Sequence, residues 1–274
     1  MPGETILGGE FLMNAGGKGA NQAVAAARLG AKVTFVTKIG KDVFGSFTMS
    51  SLRYEGIDTS TIIKTAKFPS GTALITVNST GENTIVVAPG ANMQLTAGEI
   101  KEELFKNAGI VLVQLEIPLS TIEHVVQTAN RHHAKVVLNP APAATLTPGV
   151  LGGLYLITPN EIETEKLTGI YPGTLPAMRK AGKFFMGKGV QNVVITLGAK
   201  GVFLMTPAGD SIIPAPKVSP IDSTAAGDVF NGALVTAIAE GMYLPAACTF
   251  ACSAAAISVI RLGAQSSAPY RKEL

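Results

Sequence analysis

The chain has 274 residues, enough for one large domain or one with a small appendage, and such a domain buries roughly three quarters of its unfolded surface without a disulfide or metal staple. With 47% hydrophobic and 15% charged residues it is expected to be globular, and no apolar run reaches the about 18–20 residues that a membrane span needs. The net charge of +3 comes from scattered Lys and Arg, which suits mild attraction of a phosphorylated ligand and argues against a nucleic-acid or membrane partner.

The opening "MPGETILGGE" has neither the basic nor the apolar region of a signal peptide, so the cytoplasm is the expected compartment; the closing "RKEL" is read as a chance match to a retention tail. "ETILGGEFLMNA" (4–15) reads as a strand of a small sheet. "AGGKGANQAVAAARLG" (15–30) then puts glycines and Lys18 at the mouth of an Ala-rich helix that Gly30 ends. Such a loop lets a polar ligand approach backbone and helix N–H groups closely, or it is a plain Gly-rich turn. It is no Walker A loop, because no Ser or Thr follows Lys18, and no dinucleotide fingerprint, because Gln22 stands where the third glycine belongs. "SGTALITVNSTGENTIVVAPGAN" (70–92) alternates apolar and polar residues across the turn "NSTGEN" and predicts an exposed hairpin. Segments 1–15 and 68–90 are therefore expected to form a discontinuous β lid over a main domain of 16–67 and 91–274.

From there strand and helix alternate. "GIVLVQLE" (109–116), "KVVLNP" (135–140), "LYLITPN" (154–160) and "NVVITLG" (192–198) are continuous apolar runs ending in turn residues. A helix runs through His124 to Arg131 after the first, and a helix with Leu175, Met178, Phe184 and Phe185 at helical spacing precedes the last. This pattern predicts a mostly parallel sheet covered on both faces, with ligands beyond the carboxyl ends of its strands. Those ends carry Glu116, Asn139, Asn160 and Thr196-Leu197-Gly198. His124, His132 and His133 are placed on the amphipathic helix as surface or boundary residues, and Cys248 and Cys252 pack four apart on one face of a small-residue helix.

Two acidic stretches carry chemistry. In "TPNEIETEKLTG" (158–169), Asn160 and Glu163 form either an N-cap with an acidic first turn or a pair that holds a hydrated metal near phosphates. In "IDSTAAGDVFNGAL" (221–234), Ala225-Ala226-Gly227 leave room for an approaching group where a helix through Phe230 to Ala239 begins. Outward N–H groups there favour an anion such as a phosphoryl group in transfer, with Asp228 placed to take a proton from an attacking hydroxyl. Alternatively Asp222 or Ser223 caps the helix and the small residues only permit packing.

Taken in order, "GGKGANQAVAAARLGA", "QLE", "NPAPA", "ITPNEIETEKLTG", "VVITLGAKGV", "DSTAAGDVFNGAL" and "GAQSS" resemble the ribokinase-like (PfkB) carbohydrate kinase family over essentially the whole chain. The resemblance implies a three-layer α/β/α sandwich with a small β lid that also forms a homodimer contact. It implies transfer of the γ-phosphoryl of ATP to the 5-hydroxyl of D-ribose, with Asp228 as general base and the amides of Ala225, Ala226 and Gly227 as anion hole. Gly17, Lys18, Gly19, Asn21 and Glu116 match sugar-contacting positions. Asn160, Thr196, Leu197, Gly198, Ala199, Lys200, Gly201, Gly227 and Cys252 match the ATP site, with Glu163 near Mg²⁺. Asp222, the carbonyls of Thr224, Ser258, Arg261 and Gly263, and the Ser267 hydroxyl match ligands of an activating K⁺.

The sequence also departs from the family pattern. Members carry, upstream of the counterpart of "PGET", a strand ending in Asn-x-Asp whose carboxylate grips sugar hydroxyls; the sequence begins after it, so a sheet short of one strand and one pocket wall is expected. Ser223-Thr224-Ala225 stands where Thr-x-Gly is commoner. The rival readings are another sugar or nucleoside kinase, such as a fructokinase or adenosine kinase, and a catalytically impaired nucleotide-binding chain.

Overall fold

The computed structural model describes residues 13–77 and 83–274. Residues 4–12 of the expected first strand and the hairpin turn at 78–82 lie outside them. Helix α1 (Lys18–Arg28) is Ala-rich and so helix-prone, and it stops before Gly30, whose φ is +101°. Strand β1 (Lys38–Gly40) pairs in parallel with β2 (Ile63–Thr65) around helix α2 (Val43–Tyr54), which Asp42 caps by accepting from the Gly45 amide at 2.8 Å. Strands β3 (Thr72–Val77) and β4 (Asn83–Ala88) form the expected antiparallel hairpin.

The main sheet follows as β5 (Ile110–Gln114), α3 (Leu119–Arg131), β6 (Lys135–Asn139), α4 (Pro148–Gly152), β7 (Leu156–Ile157), α5 (Glu161–Thr168), α6 (Leu175–Gly187), β8 (Asn192–Thr196), β9 (Val202–Thr206) and β10 (Gly209–Ile213). Its order is β10-β9-β8-β7-β6-β5, parallel from β5 to β8 and antiparallel through β9 and β10. Two long helices, α7 (Ala226–Ala239) and α8 (Leu244–Ser258), follow the sheet.

Alternation along the buried strands divides the core into two layers. Val136, Leu138, Ile157, Val193, Ile195 and Phe203 face α3, α4 and α6, where they meet Ile122, Val126, Val150, Met178 and Phe185. Val137, Leu156, Val194, Val202 and Leu204 face α1, α7 and α8, where they meet Leu29, Val229, Leu234 and Ala251. The result is the expected three-layer sandwich with a small antiparallel sheet. A third cluster joins α1 to β1 and α2 through Val24, Ile39, Met49 and Leu52.

Two local expectations change. Only His124 lies on α3: His132 is its C-cap and His133, at φ 60°, turns the chain into β6. The run at 154–160 yields only a two-residue strand, because Pro159 lacks an N–H and the sheet continues there by single bonds, Thr158 N to Leu138 O and Thr196 N to Pro159 O, each at 2.9 Å. Cys248 and Cys252 are reduced and buried on α8, and burial pushes their thiols up to about 12 and about 11. Among the described residues no helix is long and apolar enough to cross a membrane.

Candidate active site

Helices α1 and α7 pack side by side with their N-termini at one place, and the polar residues expected from the sequence meet there. Gly17, the N-cap of α1, has no side chain to satisfy the first amides, and the Glu116 carboxylate takes that role by accepting from Lys18 N at 3.0 Å. Residues Ala20 to Ala26 of α1 are all buried, so Asn21 and Gln22 need partners inside the protein. They find them on Asp228 in the first turn of α7: Asn21 Nδ2 donates to Oδ2 and Gln22 Nε2 to Oδ1, both at 2.9 Å. Asn21 Oδ1 stays buried with no partner among the described residues, an acceptor suited to a ligand hydroxyl. Sequence reasoning singled out Asn21 and missed Gln22. The signal was a polar Asn-Gln pair inside an otherwise Ala and Val helix.

The site concentrates negative charge. Burial pushes the Asp228 carboxyl above its usual range, against the bonds from Asn21 and Gln22 and the charge of Lys18. Burial also raises Glu116, opposed by the Lys18 charge and amide, with Asp228 adding repulsion. Glu163 is raised for the same first reason. Lys18 is the cation that acts on all three carboxylates.

Before α7 the backbone is strained: Ala225 sits in the left-handed region at φ 59°, where a glycine meets no Cβ penalty. Of the three amides expected to form an anion hole, that of Ala226 donates to Ser223 O at 3.2 Å. Those of Ala225 and Gly227 have no acceptor among the described residues. The loop before α7 is tied to the chain after α8: Asp222 accepts from Thr224 N and Gly263 N at 2.9 Å each, and Ile221 N and Asp222 N donate to Val259 O. Burial works against ionisation of Asp222, but those bonds hold it below the usual carboxylate range. This brings the expected cation ligands together from the loop before α7 (Asp222 and Thr224), the last residue of α8 (Ser258) and the loop after it (Arg261, Gly263 and Ser267); Ser258 and Ser267 are buried.

Asn160 and Glu163 realise the capping reading: Glu163 N donates to Asn160 Oδ1 at 2.7 Å and Asn160 N to Glu163 Oε2 at 2.9 Å. A lone parallel bridge sets Asn160 beside Thr196, which opens the turn Thr196–Gly201 with Gly198, Ala199 and Lys200 exposed. Gly201 closes that turn at φ 96°, and a Cβ there would stand 2.1 Å from Ile213 O, so the loop requires glycine. Cys252, also expected at the nucleotide site, is 4% exposed and packs in the apolar cluster between α8 and the sheet.

Comparison with known proteins agrees with this architecture. The pattern of the pfkB family carbohydrate kinases matches residues 2–271. The ribokinase of Haemophilus influenzae is 46% identical over 274 residues, covering 99% of this chain and 90% of the relative. The crystal structure of the Thermotoga maritima ribokinase, 41% identical, superposes with a TM-score of 0.92 over 100% of this chain and 90% of that one. The Arabidopsis thaliana ribokinase solved with ribose and ATP, 31% identical, gives 0.93 over 98% and 89%. On this evidence the chain belongs to the pfkB family of carbohydrate kinases.

Proposed function

We propose that the chain transfers the γ-phosphoryl group of ATP to the 5-hydroxyl of D-ribose, giving D-ribose 5-phosphate and ADP. The observation that carries this reading is the buried Asp228 carboxylate, held by Asn21 and Gln22 beside the open amides of Ala225 and Gly227. Support also comes from a relative of known fold solved with ribose and ATP.

Asp228 accepts the hydroxyl proton as the sugar oxygen forms its bond to the γ-phosphorus, and the bond from phosphorus to the bridging oxygen of ADP breaks in line. The amides of Ala225, Gly227 and, once released from Ser223, Ala226 stabilise charge on the phosphoryl oxygens in transit. The sugar lies against Gly17, Lys18, Gly19, Asn21 and Glu116, with Asn21 Oδ1 accepting a hydrogen bond from one of its hydroxyls. ATP lies along Asn160, Thr196 to Gly201 and Gly227.

Two metal ions fit the donors present. Among the described residues no three His, Cys, Asp or Glu side chains are grouped so as to hold a metal ion, so a Mg²⁺ near Glu163 would be held mainly by phosphates and water, as that ion prefers. The loops of Asp222, Thr224, Ser258, Arg261, Gly263 and Ser267 offer only hard oxygen donors, which suits K⁺. Bound there, these ions supply neutralisation of phosphate charge and an ordered loop ahead of α7.

The hairpin exposes Leu74 and Val86, paired across it on one face, and Ile75 and Val87 on the other, each more than half accessible, an apolar surface suited to a second copy of the chain. In a homodimer formed this way, Leu74→Asp with Val86→Asp gives monomers by analytical ultracentrifugation; an unchanged dimer removes the hairpin from the interface. The cytoplasm is the compartment that supplies both ATP and K⁺.

The test of substrate is steady-state ADP release with Mg²⁺ and K⁺ against D-ribose, fructose and adenosine, with the product identified by ³¹P NMR. Ribose should give the highest kcat/KM and a 5-phosphate. Preference for fructose or adenosine assigns the other sugar or nucleoside kinase activity, and silence on all three from folded protein leaves nucleotide binding alone.

A further inference from the structure

We infer that Gln22 is a positioning residue for Asp228: its side-chain amide, itself locked from three sides, fixes the rotation of the carboxylate that takes the substrate proton. The inference rests on the reading of Asp228 as the base. Gln22 is 1% exposed, and both protons of its Nε2 are committed, one to Asp228 Oδ1 at 2.9 Å and one to Asn139 Oδ1 at 3.0 Å. Its carbonyl accepts from Gln114 Nε2 at 2.5 Å.

The orientation of this chain of amides is anchored by a group that cannot turn round. Asn139 Nδ2 donates to the backbone carbonyl of Thr158 at 3.2 Å, and a carbonyl only accepts. Asn139 must therefore present Oδ1 to Gln22, and Gln22 must present its NH₂ to Asp228. Reversing the Gln22 amide would set its oxygen against Asp228 and Asn139 and its NH₂ against that of Gln114, three mismatches in a buried place.

Thr158 also fixes the helix that carries the base. Its hydroxyl donates to Asn231 Oδ1 at 2.6 Å, and Asn231 Nδ2 donates to Gly227 O at 2.8 Å, in the turn that holds Asp228. One residue beyond β7 thus orients the carboxylate through Asn139 and Gln22 and its helix through Asn231. With Asn21 on Oδ2 and Gln22 on Oδ1, the carboxylate cannot rotate, and each oxygen keeps a lone pair for a substrate hydroxyl. Among the described residues, Lys18 from α1, Glu116 from the segment after β5 and Glu163 from α5 are the charged groups that act on Asp228 or on which it acts. A hydrogen bond to a carboxylate favours its ionised form, so losing the Gln22 bond moves Asp228 further up.

The test is Gln22→Met, which keeps length and burial and removes every hydrogen bond. With folding checked by thermal unfolding, kcat should fall about tenfold or more while KM for ATP is unchanged. The acidic limb of the kcat/KM profile should move to higher pH, which a purely structural role would not cause. A folded variant with wild-type kcat and an unmoved limb overturns the inference. Should Gln22→Met not fold, Gln114→Met decides: it frees the Gln22 carbonyl only, and the limb should move in the same direction by less; an unmoved limb again overturns it. Asp228→Asn, run alongside, keeps the two readings apart. If that variant turns over normally, the base assignment fails; if it is inactive and neither amide variant moves the limb, only the role of Gln22 fails.

Discussion

Gly232→Ala places a methyl group where α1 and α7 come closest. A Cβ on Gly232 would stand 2.6 Å from Gln22 O, 2.7 Å from Ala25 Cβ and 3.0 Å from Ala26 N. Carbon atoms rest at about 3.5 Å, so the helices must part by roughly 0.8 Å. The obstacles are backbone atoms and a Cβ, which cannot swing aside as a long side chain would. Replacing a helical glycine gains up to about 1 kcal/mol of helix propensity, whereas overpacking costs about 1–3 kcal/mol, and a rigid obstacle puts the cost at the upper end. The net is a loss of about 1–2 kcal/mol, or roughly 2–8 °C in Tm for a chain of this size. The same separation stretches the Asn21 and Gln22 bonds to Asp228, both at 2.9 Å, beyond hydrogen-bonding range. Turnover should therefore fall more than tenfold even where the variant is fully folded. Scanning calorimetry and ribose-dependent ADP release measure the two effects. A Tm equal to or above wild type, with kcat within twofold, would refute the claim that the contact between α1 and α7 sets the active-site geometry.

Arg28 ends α1 as a clamp: Nε and Nη2 donate to Glu55 at 2.9 and 2.7 Å, and Nη1 donates to Gln265 O and Ala268 O at 2.9 and 2.7 Å. Arg28→Ala leaves Glu55 and those carbonyls unpaired, for an expected loss of about 3 kcal/mol and about 6–12 °C in Tm; a change under 2 °C would show the clamp is slack. It should also raise the K⁺ concentration for half-maximal activity, because Gln265 to Ala268 include Ser267. Asp228→Asn should be more heat-stable than wild type at pH 8. Burial raises the Asp228 carboxyl, so at pH values between the unfolded and folded values the folded state keeps a proton that the unfolded chain has released. Stability then falls as pH rises from the unfolded value toward the folded one, and the full penalty holds above it. The advantage of Asn should vanish below about pH 3.9, and a lower Tm at pH 8 would mean that the Asn21 and Gln22 bonds outweigh the burial.

Much of the scaffold was legible because buried strands leave a plain mark. The apolar runs at 109–116, 135–140 and 192–198 became β5, β6 and β8, and the alternating stretch became the β3–β4 hairpin. Strands β1 and β2 went unread, being three residues each, too short for a period-2 pattern to show. The His132–His133 turn was also missed, since nothing local announces a left-handed residue that is not glycine. At the site, Lys18, Asn21, Glu116 and Asp228 were expected together and meet around one another. The amide chain was invisible because its links join residues 206, 117 and 92 positions apart, and spacing along the sequence records no such pairing. Asn160 and Glu163 show the reverse limit: the capping box was readable, and its geometry is the same whether or not a metal sits near it.

The proposed reaction depends on Asp228 deprotonating a sugar hydroxyl for attack on ATP. The most direct measurement is ADP release by the purified chain with ATP, Mg²⁺, K⁺ and D-ribose, for wild type and Asp228→Asn, with ATP affinity of both from calorimetry. Turnover should require ribose in the wild type and fall about 10²–10⁴-fold in the variant, with ATP affinity unchanged. Absence of ribose-dependent ADP release from folded wild type, or an Asn variant within tenfold of it, would contradict the account.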